Sequence, residues 1–130
     1  MITLDTSAVF TLLNAKDQDH QRVRAAWLAV RPAYFIPTGI LAEIAYLLEQ
    51  RLGQAVLPAF LRDIKNAAFK LDHETDWARV ETLVGLYADL PLGLADALVI
   101  ECAERRGGQV LTLDKHFWIV AKEGTLKVSP

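Results

Sequence analysis

Two short apolar segments, Ile2–Leu4 and Val110–Leu113, each run straight into an aspartate, Asp5 near the start of the chain and Asp114 near its end. A strand that is hydrophobic and then releases a carboxylate presents that carboxylate just outside a sheet edge. Between the two segments lie stretches with apolar residues at helical spacing, separated by further short apolar runs. Strands alternating with helices imply βαβ units and a mostly parallel sheet. In open α/β sheets the ligand crevice lies past the carboxyl ends of the strands. The two aspartates therefore bracket the edge where such a fold does its chemistry.

The alternation can be followed along the chain. Strand Ile2–Asp5 leads into a helix ending near Asn14, and a second helix spans about His20 to Val30, with Val23, Ala26, Trp27 and Val30 on one stripe. Ala33–Ile36 reads as a strand closed by Pro37, and Thr38 as an N-cap for a helix that carries Glu43 and ends at Gly53. A helix containing Pro58 and reaching Ala68, a brief strand at Phe69–Leu71 and an amphipathic helix after Thr75 follow. Pro91 and Gly93 then break the chain before the helix Leu94–Arg106, which Gly107 and Gly108 terminate. Strand Gln109–Leu113, a short aromatic helix at His116–Val120 and a last strand at Leu126–Ser129 complete the reading.

With 130 residues, 52% of them hydrophobic and 23% charged, the chain is expected to form one compact domain over residues 1–130. The net charge of −2 excludes a general basic nucleic-acid coat, but not an enzyme whose acidic site is reversed in sign by bound cations. No apolar run reaches the roughly 18–20 residues of a membrane span, and no signal peptide is apparent, so a cytoplasmic protein is expected. The lone Cys102 excludes an internal disulfide and a cysteine zinc site, and reads as packing on an apolar helix face.

Glu43 and Asp96 join the two strand-end aspartates as candidate site residues. At roughly 100° per residue, Glu43 falls at the border of the apolar arc formed by Ile40, Ile44, Leu47 and Leu48. Asp96 projects with Val99, Ile100 and Ala103, while Glu101, Glu104 and Arg105 occupy the other side of the same helix. Each acid also has a plain structural reading. Asp5 and Asp96 suit a helix N-terminus, Glu43 could bend to solvent, and Asp114 could open a turn.

Four carboxylates gathered together repel, and some take up protons unless a cation is present. All-oxygen ligation suits a hard ion, Mg²⁺ or Mn²⁺ before zinc. Such an ion works on phosphate oxygens and lowers the pKa of a bound water, so the inferred reaction is metal-assisted phosphodiester hydrolysis.

At this point the residues resemble a PIN domain, in particular the small VapC-type ribonuclease toxins. The matching pieces are Leu4-Asp5-Thr6-Ser7-Ala8-Val9, Ala42-Glu43-Ile44-Ala45, Leu94-Ala95-Asp96-Ala97-Leu98 and Leu111-Thr112-Leu113-Asp114-Lys115-His116-Phe117. The resemblance covers nearly the whole chain in order and spacing. It implies a three-layer α/β/α fold around a mostly parallel sheet, and Mg²⁺ or Mn²⁺ held by Asp5, Glu43, Asp96 and Asp114. Ser7 and Thr112 match positions where the family commonly carries hydroxyls near the acids, and Thr6 adjoins them. An RNA substrate, a homodimer and a VapB-type antitoxin partner are implied as well.

Other side chains carry plainer expectations. Arg51, Arg62, Lys65, Arg105 and Arg106 read as a solvated helix face, with guidance of an RNA backbone as the alternative. His20, His73 and His116 lack metal or triad spacing and read as surface or structural residues. Trp27 and Trp77 read as core or interface, and Phe117 and Trp118 as packing over the sheet end, with base stacking as the alternative. Two other functions compete with the nuclease. An aspartate-based phosphatase or phosphotransfer protein is disfavoured because Ser7 stands where a second acid would be needed. A catalytically inactive interaction module is disfavoured by the intact set of acids.

Overall fold

A computed structural model describes residues 1–29, 33–89, 92–121 and 126–129. Val30 and Pro91, assigned above to a helix stripe and a chain break, lie outside the described residues. Five strands, β1 (Ile2–Leu4), β2 (Tyr34–Pro37), β3 (Lys70–Asp72), β4 (Gln109–Leu111) and β5 (Lys127–Ser129), form one sheet in the order β3-β2-β1-β4-β5. Every neighbouring pair is parallel. Strand order reverses at β1, which has β2 on one side and β4 on the other, so the switch point of the sheet lies at the end of β1.

Seven α-helices connect the strands among the described residues: α1 (Thr6–Leu13), α2 (His20–Ala29), α3 (Leu41–Leu52), α4 (Val56–Lys65), α5 (Trp77–Leu86), α6 (Leu94–Arg105) and α7 (Lys115–Ala121). The result is the three-layer α/β architecture expected. Helix α6 crosses β1, β2 and β4 with α5 beside it, while α1 packs on α2 and α3. Thr3 points to the α6 side, where its hydroxyl lies 3.6 Å from the Cys102 thiol. Cys102 is fully buried, as expected of a packing residue, and burial pushes its thiol up to about 12. Every residue of α6 from Ala97 to Ala103 is buried, so this stretch of the helix is covered on all sides. No helix among the described residues is long and apolar enough to cross a membrane.

Several local expectations are corrected. Thr38 does not cap α3; it opens a single 3₁₀ turn (Thr38–Ile40), and its hydroxyl donates instead to the Asp72 carbonyl at 3.2 Å. Helix α4 stops at Lys65, short of Ala68, because Ala67 adopts a left-handed conformation at φ 64°. Trp77 is 62% exposed on the outer face of α5, whereas Trp27 stacks on Tyr34 with ring centroids 3.8 Å apart. Phe117 is fully buried, but Trp118 is exposed.

The largest surprise is ionic. Asp72, at the end of edge strand β3, is only 1% exposed. It accepts from Arg105 (3.1 and 3.2 Å), Arg106 (2.8 Å) and the Cys102 thiol (3.4 Å). Arg105 also pairs with Glu101, and Arg106 lies over the Phe35 ring at 4.1 Å. Glu101, placed above on the helix side away from Asp96, is therefore buried by this cluster and not left in water. Burial alone would raise Asp72, but the two guanidinium groups and the thiol hold it below the usual carboxylate value.

Candidate functional site

Four helix starts face the switch point. Asp5 is the N-cap of α1, Glu43 and Asp96 lie in the first turns of α3 and α6, and Asp114 directly precedes α7. All four acids line one pocket of about 240 Å³. Thr6 and Ser7 complete its polar wall, and Leu47, Ala95 and Val99 form its apolar wall. The N-termini of α1, α3 and α6 carry partial positive charge, which offsets part of the repulsion between the carboxylates.

Asp5 plays the capping part and a second one at once. Its Oδ1 accepts from the Ala8 backbone N–H at 2.9 Å and from the Ser7 hydroxyl at 2.7 Å. Its Oδ2 accepts from the Thr112 hydroxyl. A carboxylate oxygen has about two lone-pair sites, so Oδ1 is filled and Oδ2 keeps one. The hydroxyls are themselves tied to the end of β4. The Ser7 hydroxyl accepts from Leu113 N–H at 3.0 Å, and the Thr112 hydroxyl accepts from Asp114 N–H at 2.9 Å. Ser7 and Thr112 thus splice the ends of β1 and β4, while Thr6 contributes to the pocket wall.

The electrostatics are those of crowded acids short of cations. Asp5 is raised from 3.8 to about 6, chiefly by burial, against the hydrogen bonds from Thr112, Ala8 and Ser7, with the Asp114 charge adding to the rise. Asp96 is likewise raised to about 6, first by burial and then by the charges of Asp114, Asp5 and Glu43. Among the described residues no lysine or arginine forms an ion pair with any of the four.

His116, expected above to be a surface or structural residue, lies within this group. Its Nδ1 is 3.2 Å from Asp114 Oδ1, and its backbone N–H donates to the same oxygen at 2.9 Å. One ligand atom from each of Asp96, Asp114 and His116 falls within 4.8 Å of the other two. The signal available in the sequence was its place two residues after Asp114, in the first turn of α7.

The arginines expected to be free for solvent or RNA divide. Arg105 and Arg106 are occupied by the Asp72 cluster, whereas Arg51 and Arg62 are exposed on α3 and α4.

A family model described as the PIN domain matches residues 2–123. Ribonuclease VapC26 of Mycobacterium tuberculosis is 30% identical over 118 residues, covering 88% of this chain and 87% of its own length. The crystal structure of VapC20 from the same organism, described as a Sarcin-Ricin loop cleaving toxin, matches with a TM-score of 0.78 at 21% identity over 100% of both chains. VapBC2 from Rickettsia felis, crystallised with a DNA fragment from the VapBC2 promoter, matches with a TM-score of 0.68 at 16% identity, over 100% of this chain and 99% of that one.

Proposed function

Because the chain belongs to the PIN domain family, we propose that it is a Mg²⁺- or Mn²⁺-dependent endoribonuclease and the toxin of a toxin–antitoxin pair, acting in the cytoplasm. The observation that carries this reading is the lining of one pocket by Asp5, Glu43, Asp96 and Asp114, with two of them raised to about 6 and no lysine or arginine paired with them among the described residues. A donor set of this kind fits a hard divalent ion better than it fits an empty pocket. Bound there, the ion would supply charge neutralisation at a phosphodiester and a more acidic attacking water.

The chain's own residues do the remaining work. Ser7 and Thr112 fix the Asp5 carboxylate through its two oxygens, so that its free lone pair has one direction. Glu43 and Asp96, on separate helices, approach from the α3 and α6 sides. The apolar wall of Leu47, Ala95 and Val99 limits water around the acids and strengthens their hold on a cation.

Ribonuclease VapC26 acts on RNA by its name, and RNA is the substrate proposed for this chain. A VapB-type antitoxin and a second copy of the chain are the proposed partners. Support comes from a groove of about 320 Å³ lined by Leu12, Leu13, Trp27, Leu28 and Phe69, and from exposed Tyr46, Trp77, Leu86 and Leu94. The deciding experiment incubates purified protein with structured and unstructured RNA under Mg²⁺, Mn²⁺ or chelator. Cleavage that needs metal and vanishes in Asp96→Asn is expected. No cleavage in any condition, with no metal-induced rise in Tm, would favour the inactive module instead.

A further inference from the structure

We infer that His116 supplies an imidazole nitrogen to the divalent ion, making the site a mixed nitrogen and oxygen centre that favours Mn²⁺ over Mg²⁺. The inference rests on the metal-site reading above and adds a ligand to it.

The geometry begins with what Asp5 has left to offer. Three hydrogen bonds leave its carboxylate a single free lone pair. Among the described residues, the ligand atoms that lie mutually within 4.8 Å belong to Asp96, Asp114 and His116, and not to Asp5 or Glu43. Two ligands at roughly 2.1 Å from one octahedral ion lie about 3 to 4.2 Å apart, so this group closes on an ion by small side-chain movements.

His116 is also held for the task. Asp114 Oδ1 stands between the His116 backbone N–H at 2.9 Å and its ring Nδ1 at 3.2 Å, which fixes the start of α7 to the carboxylate. A neutral imidazole protonated on Nε2 keeps its lone pair on Nδ1, which lies 3.2 Å from Asp114 Oδ1, close enough for both atoms to be adjacent ligands of one ion.

Chemistry then sets the preference. Mg²⁺ takes oxygen ligands and keeps its waters, whereas imidazole raises affinity for the borderline first-row ions. A site with His116 in it gains more from Mn²⁺ than one built from carboxylates alone.

The test uses the full chain loaded with one equivalent of Mn²⁺ and read by pulsed electron paramagnetic resonance, which registers nitrogen bound to the ion. The wild type should show a ¹⁴N coupling, His116→Asn should lose it while still binding Mn²⁺, and His73→Asn, on an exposed loop, should keep it. Competition with Mg²⁺ should show the Mn²⁺ preference of the wild type falling about tenfold in His116→Asn, as for other losses around a metal site. Bound Mn²⁺ without nitrogen coupling in the wild type, or coupling that survives in His116→Asn, would overturn this inference and leave the acidic site intact. A wild type that binds no Mn²⁺ would overturn both. Since the first outcome is read on the wild type, a variant that fails to fold does not blunt the test.

Discussion

Asp5 and Asp96 ionise near pH 6 in the folded chain and near 3.8 when unfolded. Without metal, the native state binds protons that the unfolded chain has already released. Their stabilising contribution is therefore complete below about pH 4 and is lost as pH rises through about 6. In chelator, thermal unfolding should give a higher Tm at pH 5 than at pH 7.5, and Asp96→Asn should narrow the gap and match or exceed wild type at pH 7.5. A marked loss of stability in Asp96→Asn would make that acid structural. Asp5→Asn is the poorer probe, since Asp5 also caps α1. Thr112 is the complementary case. Its buried hydroxyl bonds Asp5 and Asp114 N–H, so Thr112→Val should cost about 1–3 kcal/mol by denaturant unfolding, and Thr112→Ser much less. Asp5 was legible in the sequence, because a strand-end residue has its place fixed by the strand, whereas Thr112 was legible only through the resemblance. His116 was not, since its meaning depends on where Asp96 arrives from a different helix.

At the scale of the element, α4 and α6 end in the same way with different residues. Gly108 N–H reaches the Ala103 carbonyl beyond left-handed Gly107, and Ala68 N–H reaches the Asp63 carbonyl beyond left-handed Ala67. A side chain resists that conformation, so Ala67→Gly should raise the unfolding free energy by about 0.5–1 kcal/mol, against destabilisation for Gly107→Ala. The glycines after α6 announced its end; nothing in Asn66-Ala67-Ala68 announced that of α4. The ionic anchor of β3 was hidden for a related reason. A helical wheel ranks Glu101 and Arg105 against their own helix and cannot see Asp72 coming from an edge strand. Asp72→Ala would leave Arg106 without its carboxylate and Arg105 with Glu101 and Glu74 only, and should cost about 1–3 kcal/mol, seen as a lower urea midpoint with little change in its slope.

For the whole molecule, the parallel sheet sets the edge and the helix starts set the charge. The order β3-β2-β1-β4-β5 puts the ends of β1 and β4 side by side, and α3 and α6 bring in their first-turn acids from elsewhere in the chain. That architecture was readable from alternating strand and helix patterns, and the mutual approach of the acids was inferred from their places at strand ends and at the borders of apolar helix faces. Which apolar residues remain outside was not readable: Trp77 shares the stripe of Val80 and Leu83 yet is exposed. Calorimetric titration of Mn²⁺ into chelator-stripped protein at pH 7.5, with Glu43→Gln and Asp96→Asn alongside, tests whether these separate acids act as one ligand set. The wild type should bind, and each folded variant should bind at least about tenfold more weakly. Absent binding in the wild type, or equal binding in all three proteins, would mean that the pocket is not a metal site.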